Sequence, residues 1–183
     1  IGHFNGQFTN KAVINIGGAL GIEGYGIYND ATFVNDLNGE IDIDATGESG
    51  IYNCDCNSGV FTNKAALNIG GPLGIGYNGI DNLSIFVNDP GGTIVLDAID
   101  YSGIYNFGTA ATFTNNAEIS IGPVLGVVDY GILNEAVFHN NACAVITMLA
   151  PFNNSNTFTN ECLFTVNTAG IHLNTGFVND GII

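Results

Sequence analysis

Short stretches of three or four residues in which apolar and polar positions alternate recur along the whole chain, separated by glycine, asparagine and aspartate. Alternation with a period of two predicts strands, and no helical period is sustained anywhere. Three kinds of stretch recur in a fixed order. One reads Phe-x-Asn, at Phe8-Thr9-Asn10, Phe33-Val34-Asn35, Phe61-Thr62-Asn63, Phe86-Val87-Asn88, Phe113-Thr114-Asn115, Phe138-His139-Asn140, Phe158-Thr159-Asn160 and Phe177-Val178-Asn179. Before it comes Gly-Ile-x-Asn, ending at Asn29, Asn53, Asn82, Asn106 and Asn134, with looser copies around Asn5, Asn154 and Asn174. After it comes an apolar-x-apolar pair, such as Ile14-Asn15-Ile16, Ile41-Asp42-Ile43 and Leu67-Asn68-Ile69.

Successive Phe residues of Phe-x-Asn are 25, 28, 25, 27, 25, 20 and 19 residues apart. A period in the twenties with insertions between fixed motifs specifies a solenoid. The expectation is an all-β, right-handed parallel β-helix of about eight coils with three short strands each, right-handed because parallel crossovers are. One domain would span 1–183. Phe, Ile and the apolar pair point inward. The asparagines Asn10, Asn35, Asn63, Asn88, Asn115, Asn140, Asn160 and Asn179 form one column, and Asn29, Asn53, Asn82, Asn106 and Asn134 a second. Stacked side-chain amides in such columns can hydrogen-bond from coil to coil as a ladder.

Odd and even coils differ. The residue after Phe-x-Asn is Lys11, Asp36, Lys64 and Asp89 in the first four coils, so each lysine should meet an aspartate one coil away. Odd coils also carry a glycine-rich loop, at Gly17–Ile22, Gly70–Ile75 and Gly122–Val127. It follows no phosphate-loop pattern, because neither a helix start nor a partner lysine accompanies it. It is expected either to add a short fourth strand or to form an apolar ridge along one edge of the rod.

Charge narrows the function. Seventeen acidic residues face two basic ones, a net charge of −15, which excludes nucleic acid as the main partner and gives no sign of membrane insertion. Water, divalent cations and neutral surface glycans remain. No catalytic residue is assigned. Asp42 and Asp44 alternate on one strand at a spacing a glycosidase could use, but a solvated acidic face accounts for them. His3, His139 and His172 fall in different coils. No cofactor is expected; calcium is conceivable at Asp36, Asp42, Asp44, Asp89, Asp97 or Asp100, though no calcium-loop consensus occurs. The four cysteines suit an oxidising compartment. Cys143 and Cys162 follow Phe-x-Asn in consecutive coils and could form a disulfide or remain thiols, whereas Cys54 and Cys56 could pair or bind a metal. Tyr28 and Tyr52, with Tyr105 further along, would form an outward aromatic face able to take a sugar ring. The alternating Thr/Val column loosely resembles the faces of ice-binding β-helices, but it breaks at His139.

The Gly-Ile-Tyr-Asn, Phe-Thr-Asn and Ile-x-Ile motifs together resemble the arrays of long secreted β-helix proteins of bacteria, adhesin-like surface proteins with many coils. The resemblance covers essentially the whole chain. It implies a non-catalytic, structural or adhesive protein located outside the cell or on its surface, and supplies no catalytic residues. The chain opens on Gly2–Asn5 and stops at Ile183 without a visible cap. The expectation is therefore a segment of a longer array, or a subunit that associates with itself end to end or laterally into a fibre. A carbohydrate- or ice-binding module is the alternative.

Overall fold

A computed structural model describes residues 6–56, 58–122, 124–168 and 170–183. Copies of the motifs that fall on Gly2–Asn5, and His3 with them, lie outside the described residues. Among the described residues twenty-two strands, all parallel, form three sheets of eight, seven and seven strands, and there is no helix. The chain is therefore an all-β parallel solenoid. One turn of it runs through Thr32–Asn35, Glu40–Ile43 and Ile51–Asn53.

In-register stacking makes like residues meet. Phe8 pairs with Phe33, Phe33 with Phe61, Phe61 with Phe86, and so on to Phe158 with Phe177. From Phe33 to Phe138 the rings lie 4.7–4.8 Å apart with interplanar angles of 5–8°. Ring spacing thus equals the strand spacing of a sheet, so each ring buries both faces without changing rotamer from coil to coil. Ile27, Ile51, Ile80, Ile104 and Ile132 line the second sheet, while Ile41/Ile43, Leu67/Ile69 and Ile94/Leu96 line the third; all are buried.

Both asparagine ladders are present. Asn10 donates its side-chain amide to the carbonyl oxygen of Asn35, and the same bond runs on through Asn63, Asn88, Asn115, Asn140 and Asn160 to Asn179, at 2.6–2.9 Å. The second column runs from Asn29 through Asn53, Asn82, Asn106 and Asn134 to Asn154 at 2.7–2.8 Å. Every amide points toward the next coil, so the dipoles of a column add. Most of these asparagines also reach a backbone carbonyl at the start of the following strand one coil on, as Asn35 does to Ala66 and Asn53 to Ile85. The corners are thereby closed by side chains. Asn174 does not extend the second ladder: Leu173 takes the position opposite Asn154, and Asn174 has moved one residue past it.

The glycine of Gly-Ile-x-Asn has a packing reason. A Cβ built at Gly26, Gly79 or Gly103 would stand 2.6 Å from the carbonyl oxygen of the equivalent glycine one coil on. The two-coil repeat also has a geometric basis. Corners after Phe-x-Asn alternate between two residues (Lys11-Ala12, Lys64-Ala65) and four (Asp36–Gly39, Asp89–Gly92). Lys11 pairs with Asp36 at 3.7 Å and Lys64 with Asp89 at 4.0 Å, across a narrow and a wide corner.

Candidate functional site

The glycine-rich loops do both things open to them. Ile22, Thr46, Ile75, Ile99 and Val127 join in a run of single parallel bridges, a vestigial fourth strand, with Ile75 and Ile99 buried. Two residues before the bridge, Leu20, Leu73 and Leu125 project from the tips of the odd-coil loops and are largely exposed, as is Val124. Gly17, Gly70 and Gly122 at one end of each loop, and Gly21, Gly74 and Gly126 at the other, have positive φ, which lets so short a loop bend out and return.

Aspartates of the even coils hold these loops. Asp44 accepts the backbone N–H of Gly71 at 3.1 Å and of Gly74 at 3.0 Å, and Asp97 accepts those of Leu125 at 2.8 Å and Gly126 at 2.7 Å. Even coils have only Asp44-Ala45 or Asp97-Ala98 where the loops stand, so furrows separate the leucine tips. The furrow between the Leu20 and Leu73 loops measures about 460 Å³ and that between the Leu73 and Leu125 loops about 400 Å³. Knob and furrow repeat with the same two-coil period.

The calcium and glycosidase candidates are engaged one by one. Asp44 and Asp97 anchor loops, Asp42 accepts the side-chain amide of Asn68 at 2.7 Å, and Asp36 and Asp89 face lysines. Asp100 stands at the edge of both furrows. His139 meets Thr159 at 2.8 Å, and His172 lies opposite Asn153 in another sheet.

Cysteine chemistry also differs from the first of its expected forms. Cys143 and Cys162 are free thiols, and Cys54 and Cys56 are joined by a disulfide. The corner widths explain it. Four residues separate Asn140 from Val145, but two separate Asn160 from Leu163, while both pairs stay in register. Cys162 is therefore brought opposite Ala144, not Cys143, which sits exposed at the turn tip with φ 68°. Cys54 and Cys56 lie in a loop that is longer than its counterparts in neighbouring coils, and with Asp55 they form a compact group. Their sulfurs are consumed by the bond, which leaves them unavailable as metal ligands.

The outward aromatic face is larger than the three tyrosines. Tyr28 and Tyr52 stack at 5.3 Å and 18°, and Tyr25, which follows the first glycine-rich loop, packs on Tyr52 at 4.8 Å. Next in the column stands Asp81, with Tyr105 beyond it. Tyr77 and Tyr101 stack at 5.1 Å, and Tyr105 and Phe107 at 4.1 Å. Where Asp81 replaces a tyrosine the surface opens into a notch of about 440 Å³ lined by Tyr25, Glu48, Tyr52, Tyr77, Asp81, Tyr105 and Phe107.

Asp81 is 4% exposed. It accepts hydrogen bonds from the Ser49 hydroxyl and, at 2.7 Å, from the Asn78 amide, while Asn78 accepts the Ser102 N–H at 3.0 Å. Burial raises the Asp81 pKa, and Glu48 adds to the rise, against the lowering by Ser49 and Asn78. Burial, then Glu48, pushes Tyr25 up to about 12; burial, then a hydrogen bond to Glu135, pushes Tyr105 up to about 12. The notch is therefore an aromatic recess in a negative field. Sequence reasoning placed Tyr28, Tyr52 and Tyr105 but missed Tyr25, Glu48, Tyr77, Asp81 and Phe107. One signal was present: Gly79-Ile80-Asp81-Asn82 carries an acid where three other copies carry tyrosine.

The fold places the chain among the all-β parallel β-solenoids with stacked asparagine ladders. No protein family matches the chain, and none of the curated proteins or solved structures compared with it does so either.

Proposed function

We propose that this chain is a non-catalytic, structural or adhesive β-solenoid that works outside the cell and associates laterally with copies of itself. The carrying observation is the edge on which the Leu20, Leu73 and Leu125 tips alternate with furrows of 400–460 Å³. Knobs and furrows share one period, so a second rod displaced by one coil presents knobs to furrows along the stretch from Leu20 to Leu125. The tips themselves carry no charge, which matters for a chain of net charge −15 that would otherwise repel its own kind. Glycine-rich loops of this kind would be mobile if free, but Asp44 and Asp97 tie the second and third to the rod, so little order has to be gained on contact. The Cys54–Cys56 disulfide suits an oxidising compartment, and the resemblance to secreted bacterial arrays points the same way.

Light scattering on eluting fractions over a hundredfold range of concentration tests this reading. Wild type should grow in mass with concentration, and electron micrographs should show bundled or elongated rods. The triple variant Leu20→Ser/Leu73→Ser/Leu125→Ser should stay monomeric with an unchanged far-UV spectrum. A monomeric wild type throughout, or a triple variant that associates equally well, would falsify the proposal.

A further inference from the structure

The notch at Asp81 lies on the tyrosine-bearing sheet and does not depend on lateral association. Its walls follow from the register. Tyr52 and Tyr105 occupy the same column one coil before and one coil after Asp81. Strands stack about 4.8 Å apart, so the two column positions stand about two spacings apart, with the shorter Asp81 between them where the surface opens into the recess. Tyr25 and Phe107 pack on those two rings, and Tyr77, just past the second glycine-rich loop, lines the recess. Asp81 is the buried acid of the recess, and the exposed Glu48 lines it as well.

We propose that this notch binds a small organic cation of the methylated-ammonium type, held between the faces of Tyr52 and Tyr105 and above the Asp81 carboxylate. A group centred in the vacated place would be about 4.8 Å from each flanking ring, inside the range of about 6 Å over which a ring face attracts a cation. The charge fits. Glu48 and Asp81 both line the recess, and after burial the nearby Glu48 adds to the rise of the Asp81 pKa, so a bound positive charge offsets the repulsion between the two acids. A hard divalent ion would ask for six or more oxygens, whereas most of the lining consists of rings. A neutral sugar would gain ring contacts but nothing from the negative field. It would also have to share Asp81 oxygens that already accept from Ser49 and Asn78. A methylammonium group needs no directed hydrogen bond, and the net charge of −15 draws it in.

Titration calorimetry with choline, with tetramethylammonium and with 3,3-dimethylbutan-1-ol, the neutral isostere of choline, tests the proposal, with cellobiose as a sugar probe. Both cations should bind saturably, and choline at least about tenfold more tightly than its isostere, since only charge distinguishes the pair. Asp81→Asn and Tyr52→Leu should each weaken tetramethylammonium by about tenfold. Asp81→Tyr restores the residue that the column carries on either side, so it should fold, fill the gap and abolish binding. Equal affinity for choline and its isostere, cellobiose binding without cation binding, no heat from either cation, or full binding by Asp81→Tyr each overturn the proposal.

Discussion

Asn63 donates its side-chain amide to Asn88 at 2.9 Å while accepting the amide of Asn35 at the same distance, so one buried side chain joins three successive coils. It also reaches the carbonyls of Ala65 and Thr93. Asn63→Ala leaves these acceptors buried without their donor, and at about 1–3 kcal/mol per orphaned group the expected loss is about 3 kcal/mol. Urea denaturation followed by circular dichroism measures it. The same change at Asn179, which is exposed, should cost less than about 1 kcal/mol. Equal losses at both positions would mean that the ladder owes its strength to something other than burial.

Gly79 tests a different part of the stacking. A Cβ there would lie 2.6 Å from the Gly103 carbonyl oxygen and 3.2 Å from Leu96 Cδ2. The carbonyl belongs to a packed coil and cannot withdraw, so Gly79→Ala should cost about 2–3 kcal/mol through overpacking. Gly24→Ala meets nothing within 4 Å and should change stability by less than about 0.5 kcal/mol. Comparable melting temperatures for the two variants would refute the packing account of the Gly-Ile motif.

Asp81 carries a pH dependence with a definite sign. Its pKa is raised by burial first, so the native chain holds a proton that the unfolded chain has already released. Its stabilising contribution is present below the ordinary carboxylate value and lost as pH rises through the raised native one. Asp81→Asn does not titrate. The stability of this variant relative to wild type should therefore improve as pH rises from about 3 to 7, whatever constant cost the substitution adds. A difference that stays flat or moves the other way contradicts the burial assigned to this group.

The cysteines are checked by counting thiols. The folded, oxidised protein should react with thiol reagent at Cys143 and Cys162 only, Cys143 first because it is the more exposed. All four should react after reduction and unfolding. The disulfide closes a loop of two residues' separation, which constrains the unfolded chain little, so reduction should cost no more than about 1.5 kcal/mol and leave the far-UV spectrum unchanged. A peptide map that joins Cys143 to Cys162 would overturn the assignment.

What the sequence determined by itself was everything that parallel, in-register stacking repeats. When each residue meets its own counterpart one coil on, a Phe column, two Asn columns and a Lys/Asp column can be read directly from spacing. Asn10 through Asn179 and Lys11 with Asp36 followed in this way. Tertiary structure decided whatever depends on the widths of corners and the paths of loops. A corner two residues shorter set Cys162 opposite Ala144 and so kept it from Cys143. Asp44, which read as a solvated acid, and Asp97, which the sequence offered only as a calcium position, turned out to hold the loop of the next coil, because the glycines bring its N–H groups back over the preceding turn. The aromatic recess needed both levels. Asp81 breaks the tyrosine column in the sequence, but only the folded loops bring Tyr25 and Tyr77 to the gap it leaves. Periodicity reports contacts between equivalent positions; contacts between a strand and a loop of variable length have no period to report them.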